Sequence, residues 1–193
     1  MRVVSPREAG EALRGGAVAI VPTDTVVGLA AGESGLPRLA EIKRRDPDKP
    51  IAALCASAEE AFSLAEHVPP LARELARRLW PGPLTLVLDA PESEGGGTVG
   101  VRVPDHAVVR ELLAAYGGPL YATSANLAGE AAPGSLDEVP DEISGAVDLA
   151  VRGEAGGGEA SAVVDLSGGE ATLLRESGSL TVEKLSRMSA GFE

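Results

Sequence analysis

The 193-residue sequence has one cysteine, Cys55, two histidines and only five aromatic residues, 3% of the chain. A single cysteine excludes an internal disulfide framework and any multi-cysteine zinc site. Phe62, Trp80, Tyr116, Tyr121 and Phe192 are too few to stack successive bases of a single strand on several platforms. Positive charge is also short. Seventeen Lys and Arg against 29 Asp and Glu give a net charge of −12, which opposes non-specific attachment to nucleic acid or anionic membrane. A local basic cleft is still compatible with that total. No apolar run approaches the ~20 residues of a membrane span, and the N-terminal residues lack the apolar core of a secretory signal. With no disulfides to form, the expected setting is the cytoplasm.

Glycine and proline, by contrast, are plentiful at 24 and 14 residues, and they are scattered. Many short elements joined by tight turns are expected. Hydrophobic residues at 44% and charged residues at 24% are globular proportions. A chain of this length buries ~70% of its unfolded surface without a disulfide or metal staple. One domain over residues 1–193 is expected.

The element pattern is well punctuated. Ser5-Pro6-Arg7-Glu8 is a capping box with proline at the first helical position, and Gly15-Gly16 stops that helix. Residues 17–21 read as a buried strand, and Leu36, Leu39 and Ile42 as a helix ahead of Lys43-Arg44-Arg45. Residues 51–54 form a short strand, and Ser57-Ala58-Glu59-Glu60 is a second capping box. Leu71, Leu75 and Leu79 mark a helix that ends at Trp80-Pro81-Gly82-Pro83. Strands are predicted at 84–88, 98–103, 120–122, 147–151, 162–166 and 171–174, with helices at 107–116 and 181–188. Early alternation and late clustering of strands predict an α/β fold with a twisted, mixed parallel and antiparallel sheet flanked by helices. The acidic stretch 128–160 reads as a solvated, mobile excursion.

Several familiar signals carry little. GGGTVG at 95–100 matches a dinucleotide fingerprint in letters only, since a strand follows it instead of a helix. His67 and His106 have no metal or triad spacing. Cys55, at a strand end, reads as a small buried apolar residue.

Three constellations carry more. PTDTVVGLA at 22–30 holds hydroxyls and a carboxylate at the edge of a buried strand, or else is a turn closed by Asp24. KRRDPDKP at 43–50 places four cations within seven residues. It either complements a helix C-terminus or grips an anion, Arg45 bidentately. ATSAN at 122–126 sets small hydroxyl residues just after a strand, which suits either an anion or a helix cap.

Together and in order, these segments resemble the YrdC/TsaC family of threonylcarbamoyl-AMP synthases. The matching blocks are PTDTVVGLA, KRRDPDKP, WPGPLTLVL at 80–88, VGVRVPDH at 99–106, TSANLAG at 123–129, SAVVD at 161–165 and LLRESG at 173–178. The length is similar to the family's short form, which lacks an extra C-terminal domain. The resemblance implies a concave, positively lined central cavity. It implies condensation of L-threonine, bicarbonate and ATP, the last with Mg²⁺, into threonylcarbamoyl-AMP and pyrophosphate. Partner proteins then carry the threonylcarbamoyl group to an adenosine of tRNA. Lys43, Arg45, Lys49, Thr98, Ser124, Asn126 and Arg175 are implied on the ATP side, and Thr25, Arg102 and Ser161 on the threonine or carbamate side. No covalent enzyme intermediate, dedicated metal ligand or permanent cofactor is implied. Val27, Arg44, Asp46 and Ala162 stand where the family usually has Tyr, Gly, Pro and Thr, and the RESG ending is one residue longer.

Arg102 carries the sharpest expectation. Val99, Val101 and Val103 alternate with Thr98, Gly100 and Arg102, so a strand sends the valines to one face and Thr98 and Arg102 to the other. Arg102 then meets a substrate carboxylate or pairs with nearby Asp105. In the first case, Arg102→Ala is expected to leave folding nearly unchanged while weakening threonine binding by roughly 2–5 kcal/mol. Two other functions are compatible with the same blocks: an RNA-binding translation accessory without catalysis, and a divergent paralogue handling another carbamoyl or acyl adenylate.

Overall fold

A computed structural model of the chain describes residues 1–44, 51–127 and 129–190. Helix α1 (Pro6–Arg14) starts at the capping box: Ser5 Oγ accepts from the Glu8 amide, and Glu8 accepts in return from the Ser5 amide at 3.0 Å. Helices α2 (Leu36–Lys43), α3 (Ala58–Ser63), α4 (Pro70–Leu79), α5 (Ala107–Tyr116), α6 (Asp141–Ala146) and α7 (Val182–Ser189) follow. The second capping box closes on one side only. Ser57 Oγ accepts from the Glu60 amide, but the Glu60 carboxylate reaches back to Ala56 instead of Ser57.

Among the described residues the strands join in one ten-stranded sheet, in the order β1 (Arg2–Val4), β8 (Leu149–Val151), β2 (Val18–Pro22), β3 (Val27–Ala31), β7 (Leu120–Ser124), β4 (Ala52–Leu54), β6 (Thr98–Arg102), β5 (Leu84–Asp89), β9 (Ala162–Asp165) and β10 (Thr172–Arg175). Parallel pairs (β1/β8, β2/β8, β4/β6, β5/β9) mix with antiparallel ones (β2/β3, β3/β7, β4/β7, β5/β6, β9/β10). The expected single α/β domain with a mixed sheet is therefore what the chain forms.

Side-chain alternation along the strands decides what covers each face. Next to the edge strand β1, the β8–β2–β3 part of the sheet is buried on both faces. Ala19 and Val21 pack toward α1 and α5, while Val18 and Ile20 pack toward α2 and α6. At the β4–β6–β5–β9 end only one face is covered. Leu84, Leu86, Leu88, Val101 and Val164 pack under α4 and α7, the three leucines fully buried, at about 1.5–3 kcal/mol for each side chain of that size. The opposite face, carrying Ala52, Thr85, Val87, Gly100, Arg102 and Val163, has no helix among the described residues and lines a cavity instead.

One expectation is corrected. The 128–160 stretch is not a solvated excursion over its middle part, residues 139–151, although residues 152–154 and 156–159 are exposed. Its Val139, Ile143 and Val147 are buried against β2 and β3, and its β8 sits between β1 and β2 inside the sheet. The acidic residues occupy the exposed positions, while the apolar ones between them pay for the ordering of the chain. β3 was also not anticipated as a strand. It leaves the polar PTDT turn directly and buries all five of its residues.

Candidate active site

The cavity on the uncovered face has a volume of about 460 Å³. Its polar lining includes Thr23 and Thr25 from the turn between β2 and β3, Thr85 of β5, Arg102 of β6, Ser124 of β7, Ser161 just before β9 and Arg175 of β10. A larger groove of about 810 Å³ runs between α4, β10 and α7, but none of the candidate residues lines it. The candidate residues among the described ones gather at or behind the smaller cavity, Thr98 excepted.

Gly100 explains part of the space. A Cβ there would sit at ordinary contact distance, 3.5 Å or more, from Ala52 and Thr85, so glycine keeps the floor low where a side chain would fit. Two residues on, Arg102 is buried and fully oriented. Its Nε donates to Gly82 O at 3.2 Å, Nη1 to Thr25 Oγ1 at 3.1 Å, and Nη2 to Asp24 Oδ1 at 2.7 Å. The Asp24 and Arg102 side chains are only 10% and 8% exposed. Asp105 is not the partner of Arg102; it pairs with Arg110 on the surface. This burial overturns the expectation that Arg102→Ala spares folding, because truncation strands a buried Asp24 carboxylate.

Thr23 is the hub of the turn. Its hydroxyl donates to Val26 O at 2.7 Å and accepts from the Thr25 and Val26 amides. With that proton committed, the Thr25 hydroxyl is the donor in the 2.9 Å Thr23–Thr25 contact, and Thr25 Oγ1 in turn accepts from Arg102. Thr23, not Asp24, closes this turn. A strap of chain lies over it: the amides of Gly156, Gly157 and Gly158 donate to Thr23 O, Thr25 O and Thr25 O. A Cβ on Gly156 would lie 2.8 Å from Asp24 O, closer than real contacts allow, so the strap approaches only because that residue is glycine.

On the other wall, Arg175 Nε donates to Ser161 O at 2.6 Å and its Nη2 to Ser161 Oγ at 3.1 Å, while Ser161 Oγ lies 2.9 Å from Thr85 Oγ1. Burial, and after it the nearby Arg102 charge, pull the Arg175 guanidinium below its ordinary pKa. The two guanidiniums thus face a common space.

Ser124 connects to a third group. Lys43 Nζ, at the end of α2, donates to Ser124 O at 2.8 Å and to Asn126 Oδ1 at 3.1 Å, with Asn126 O a further acceptor. Ser124 Oγ also donates to Asn126 Oδ1, whose Nδ2 binds Glu130 O. Lys43 and Asn126 therefore back Ser124 without themselves lining the cavity. Arg45 and Lys49 lie outside the described residues. Thr98 does not join the site. It is exposed at the start of β6, beside the 95–97 turn and paired with Asp89 across the hairpin, so correct strand parity was not enough to bring it in.

Arg44 caps α2 with a left-handed φ of 46°, which favours glycine and which no other non-glycine residue adopts among the described residues. Cys55 is fully buried, and burial pushes its thiol up to about 12, so it is no nucleophile at neutral pH. His106 Nε2 lies 2.9 Å from Glu154 O, anchoring the strap, not a triad. Among the described residues no cluster of three or more His, Cys, Asp or Glu fits a metal ion, and no helix is long and apolar enough to cross a membrane.

Sequence reasoning missed Thr23, Asp24 in its ion-pairing role, and Thr85. Thr85 sits in an otherwise apolar strand, LTLVL, and that interruption was the available signal.

A buried ion pair, a hydroxyl relay and a second arginine on one uncovered sheet face are the setting for the comparisons with known proteins. The Sua5/YciO/YrdC family model, described as "Telomere recombination", matches residues 11–177. The chain belongs to this family. The threonylcarbamoyl-AMP synthase of Pyrococcus abyssi is 37% identical over 188 residues, covering 91% of this chain and 54% of that protein. The mouse protein of the same name is 37% identical over 176 residues, covering 83% and 62%. The crystal structure of P. abyssi Sua5 complexed with L-threonine superposes with a TM-score of 0.86 at 32% identity, covering 97% of this chain and 61% of that one. The chain thus spans little more than half the length of these relatives.

Proposed function

We propose that the chain is a threonylcarbamoyl-AMP synthase, a nucleotidyltransferase that condenses L-threonine, bicarbonate and ATP. The threonine nitrogen takes up the bicarbonate carbon with loss of water, giving a carbamate. A carbamate oxygen then attacks the α-phosphorus of ATP, and pyrophosphate leaves. Both partners of that second step are anions, so their repulsion has to be offset before they approach. The observation that carries the reading is the convergence of Arg102 and Arg175 on one cavity in a chain with net charge −12.

In this reading Thr25, Arg102 and Ser161 receive threonine and its carbamate. Arg175 and Ser124 face the nucleotide, Lys43 and Asn126 hold Ser124 in place, and Arg45 and Lys49 of the KRRDPDKP block grip the phosphates. Thr98 contributes at most from the rim. Mg²⁺ arrives with ATP as part of that substrate. Positioning and electrostatic stabilisation suffice, with no covalent enzyme intermediate. The product passes to partner proteins that modify tRNA, in the cytoplasm. The relatives' printed name and the threonine-bound P. abyssi Sua5 support this reading over an RNA-binding module without catalysis. Pyrophosphate release measured with each reactant omitted in turn tests it. Release is expected only when ATP, threonine and bicarbonate are all present; equal release without threonine would refute it.

A further inference from the structure

We propose that Asp24 is a positioning residue that sorts the two arginines of the cavity: it makes Arg102 a receptor for the zwitterion of an α-amino acid and leaves Arg175 to phosphate. The inference rests on the proposed synthase reading and assigns a charge logic within it. The two guanidiniums line one cavity, and the Arg102 charge acts on Arg175, yet only Arg102 has a carboxylate bonded to it among the described residues. Asp24 is bonded to Arg102 at 2.7 Å, whereas Arg175 makes no ion pair among the described residues and donates only to Ser161.

A guanidinium has five N–H donors. Arg102 has three engaged, by Gly82 O, Thr25 Oγ1 and Asp24 Oδ1, and two remain for a ligand carboxylate. Its charge is already balanced, so a phosphate dianion gains little there and is repelled by Asp24. An amino-acid zwitterion carries both signs a bond or two apart. Its carboxylate meets the remaining Arg102 donors, and its ammonium lies in the field of Asp24. The second carboxylate oxygen, Asp24 Oδ2, is buried without any hydrogen-bond partner, so an acceptor stands unused beside the guanidinium. Leaving such a group unsatisfied is unfavourable, and a cationic N–H donor is the complement it lacks. Arg175 keeps three donors and an uncompensated charge, which suits phosphate oxygens.

Asp24 is also held more firmly than a surface carboxylate. Thr23 fixes the turn on one side, and the strap glycines bond both flanking carbonyls. The backbone that carries the carboxylate is therefore fixed on both sides, and Arg102 holds the carboxylate itself.

The test is calorimetric binding of matched pairs to the full chain, in the presence of a non-hydrolysable ATP analogue: L-threonine against 2,3-dihydroxybutanoate, and L-serine against glycerate. Each hydroxy acid replaces the ammonium by a hydroxyl and keeps the carboxylate. The wild type is expected to prefer threonine to its hydroxy acid by about tenfold or more. Asp24→Asn, which keeps the size and the acceptor for Arg102 but removes the charge, is expected to bring that ratio close to one. It should also strengthen inhibition by inorganic phosphate and raise the KM for threonine far more than that for ATP. A merely structural role would weaken all ligands together. If the variant does not fold, the wild-type ratios decide alone. Preference for serine over glycerate with no response to threonine would sink the synthase reading and keep the sorting. Equal binding within both pairs overturns the sorting whatever the reaction.

Discussion

Two walls of the cavity draw on a cation, one lined by Arg102 and one backed by Lys43 behind Ser124, and different parts of the chain hold the two. On the Arg102 wall the charge is met by another charge, Asp24, from a turn 78 residues away in sequence, and both side chains are out of water. On the Lys43 wall the ammonium donates to the carbonyls of Ser124 and Asn126 and to the Asn126 amide oxygen, within one short turn after β7. The first arrangement ties the site to global stability, because either ion left alone is a buried, uncompensated charge. The second braces the short turn after β7 that carries Ser124. Site residues on the two walls are thus expected to fail differently when mutated.

The largest expected effect breaks the first wall. Arg102→Ala should abolish threonine-dependent turnover and also lower unfolding stability by roughly 3–5 kcal/mol in urea titrations. A stable, inactive alanine variant would show that Asp24 does not depend on Arg102. Lys43→Met keeps the aliphatic stem and removes the donors. It should cost about 1.5–3 kcal/mol, the scale of hydrogen bonds to a charged group, with the KM for ATP rising more than that for threonine. Ser161→Ala removes one hydroxyl from the Thr85–Ser161–Arg175 relay while leaving the Ser161 carbonyl bond to Arg175 in place. A loss of about 1 kcal/mol is expected, together with weaker threonine binding by calorimetry and, through the lost bond to Arg175, weaker nucleotide binding.

Smaller effects lie outside both walls. Arg44→Gly should relieve the left-handed cap of α2 and raise stability by up to about 1 kcal/mol, less whatever the exposed Arg44–Glu142 pair contributes. Glu74 on α4 bonds Arg77 and Arg78, which lower its carboxyl from 4.5 to about 2. A depressed acid stabilises the fold above its unfolded pKa. That contribution is therefore present above about pH 4.5 and lost as pH falls toward 2, and Glu74→Gln should flatten the acid limb of the stability curve slightly within that window.

Much of this arrangement was legible in the sequence because it follows from local rules. The capping box at Ser5, the stop at Gly15, the β5–β6 hairpin around Gly95-Gly96-Gly97 and the α5 boundaries at Ala107 and Tyr116 are set by neighbours in the chain. Strand alternation correctly sent Arg102 and Gly100 to one face and Val101 to the other. Local rules could not supply what Arg102 meets. Asp105 was near in sequence, but strand β6 carries Arg102 across the sheet to the β2–β3 turn, where Asp24 lies. Thr98 failed for the related reason that parity fixes a face but not a distance from the cavity. The 128–160 stretch was misread because its charge count hid the buried Val139, Ile143 and Val147 spaced between the acids. The roles assigned to nucleotide and threonine came from the family resemblance, and spacing alone did not separate them.

In the proposed function, threonine enters the cavity with its carboxylate on Arg102. A crystal structure of this chain with L-threonine bound tests it most directly. The carboxylate is expected within hydrogen-bond distance of the Arg102 guanidinium, with the ammonium on the Asp24 side and Arg175 left clear for phosphate. Threonine seated against Lys43 and Ser124, or with its carboxylate on Arg175, would contradict it.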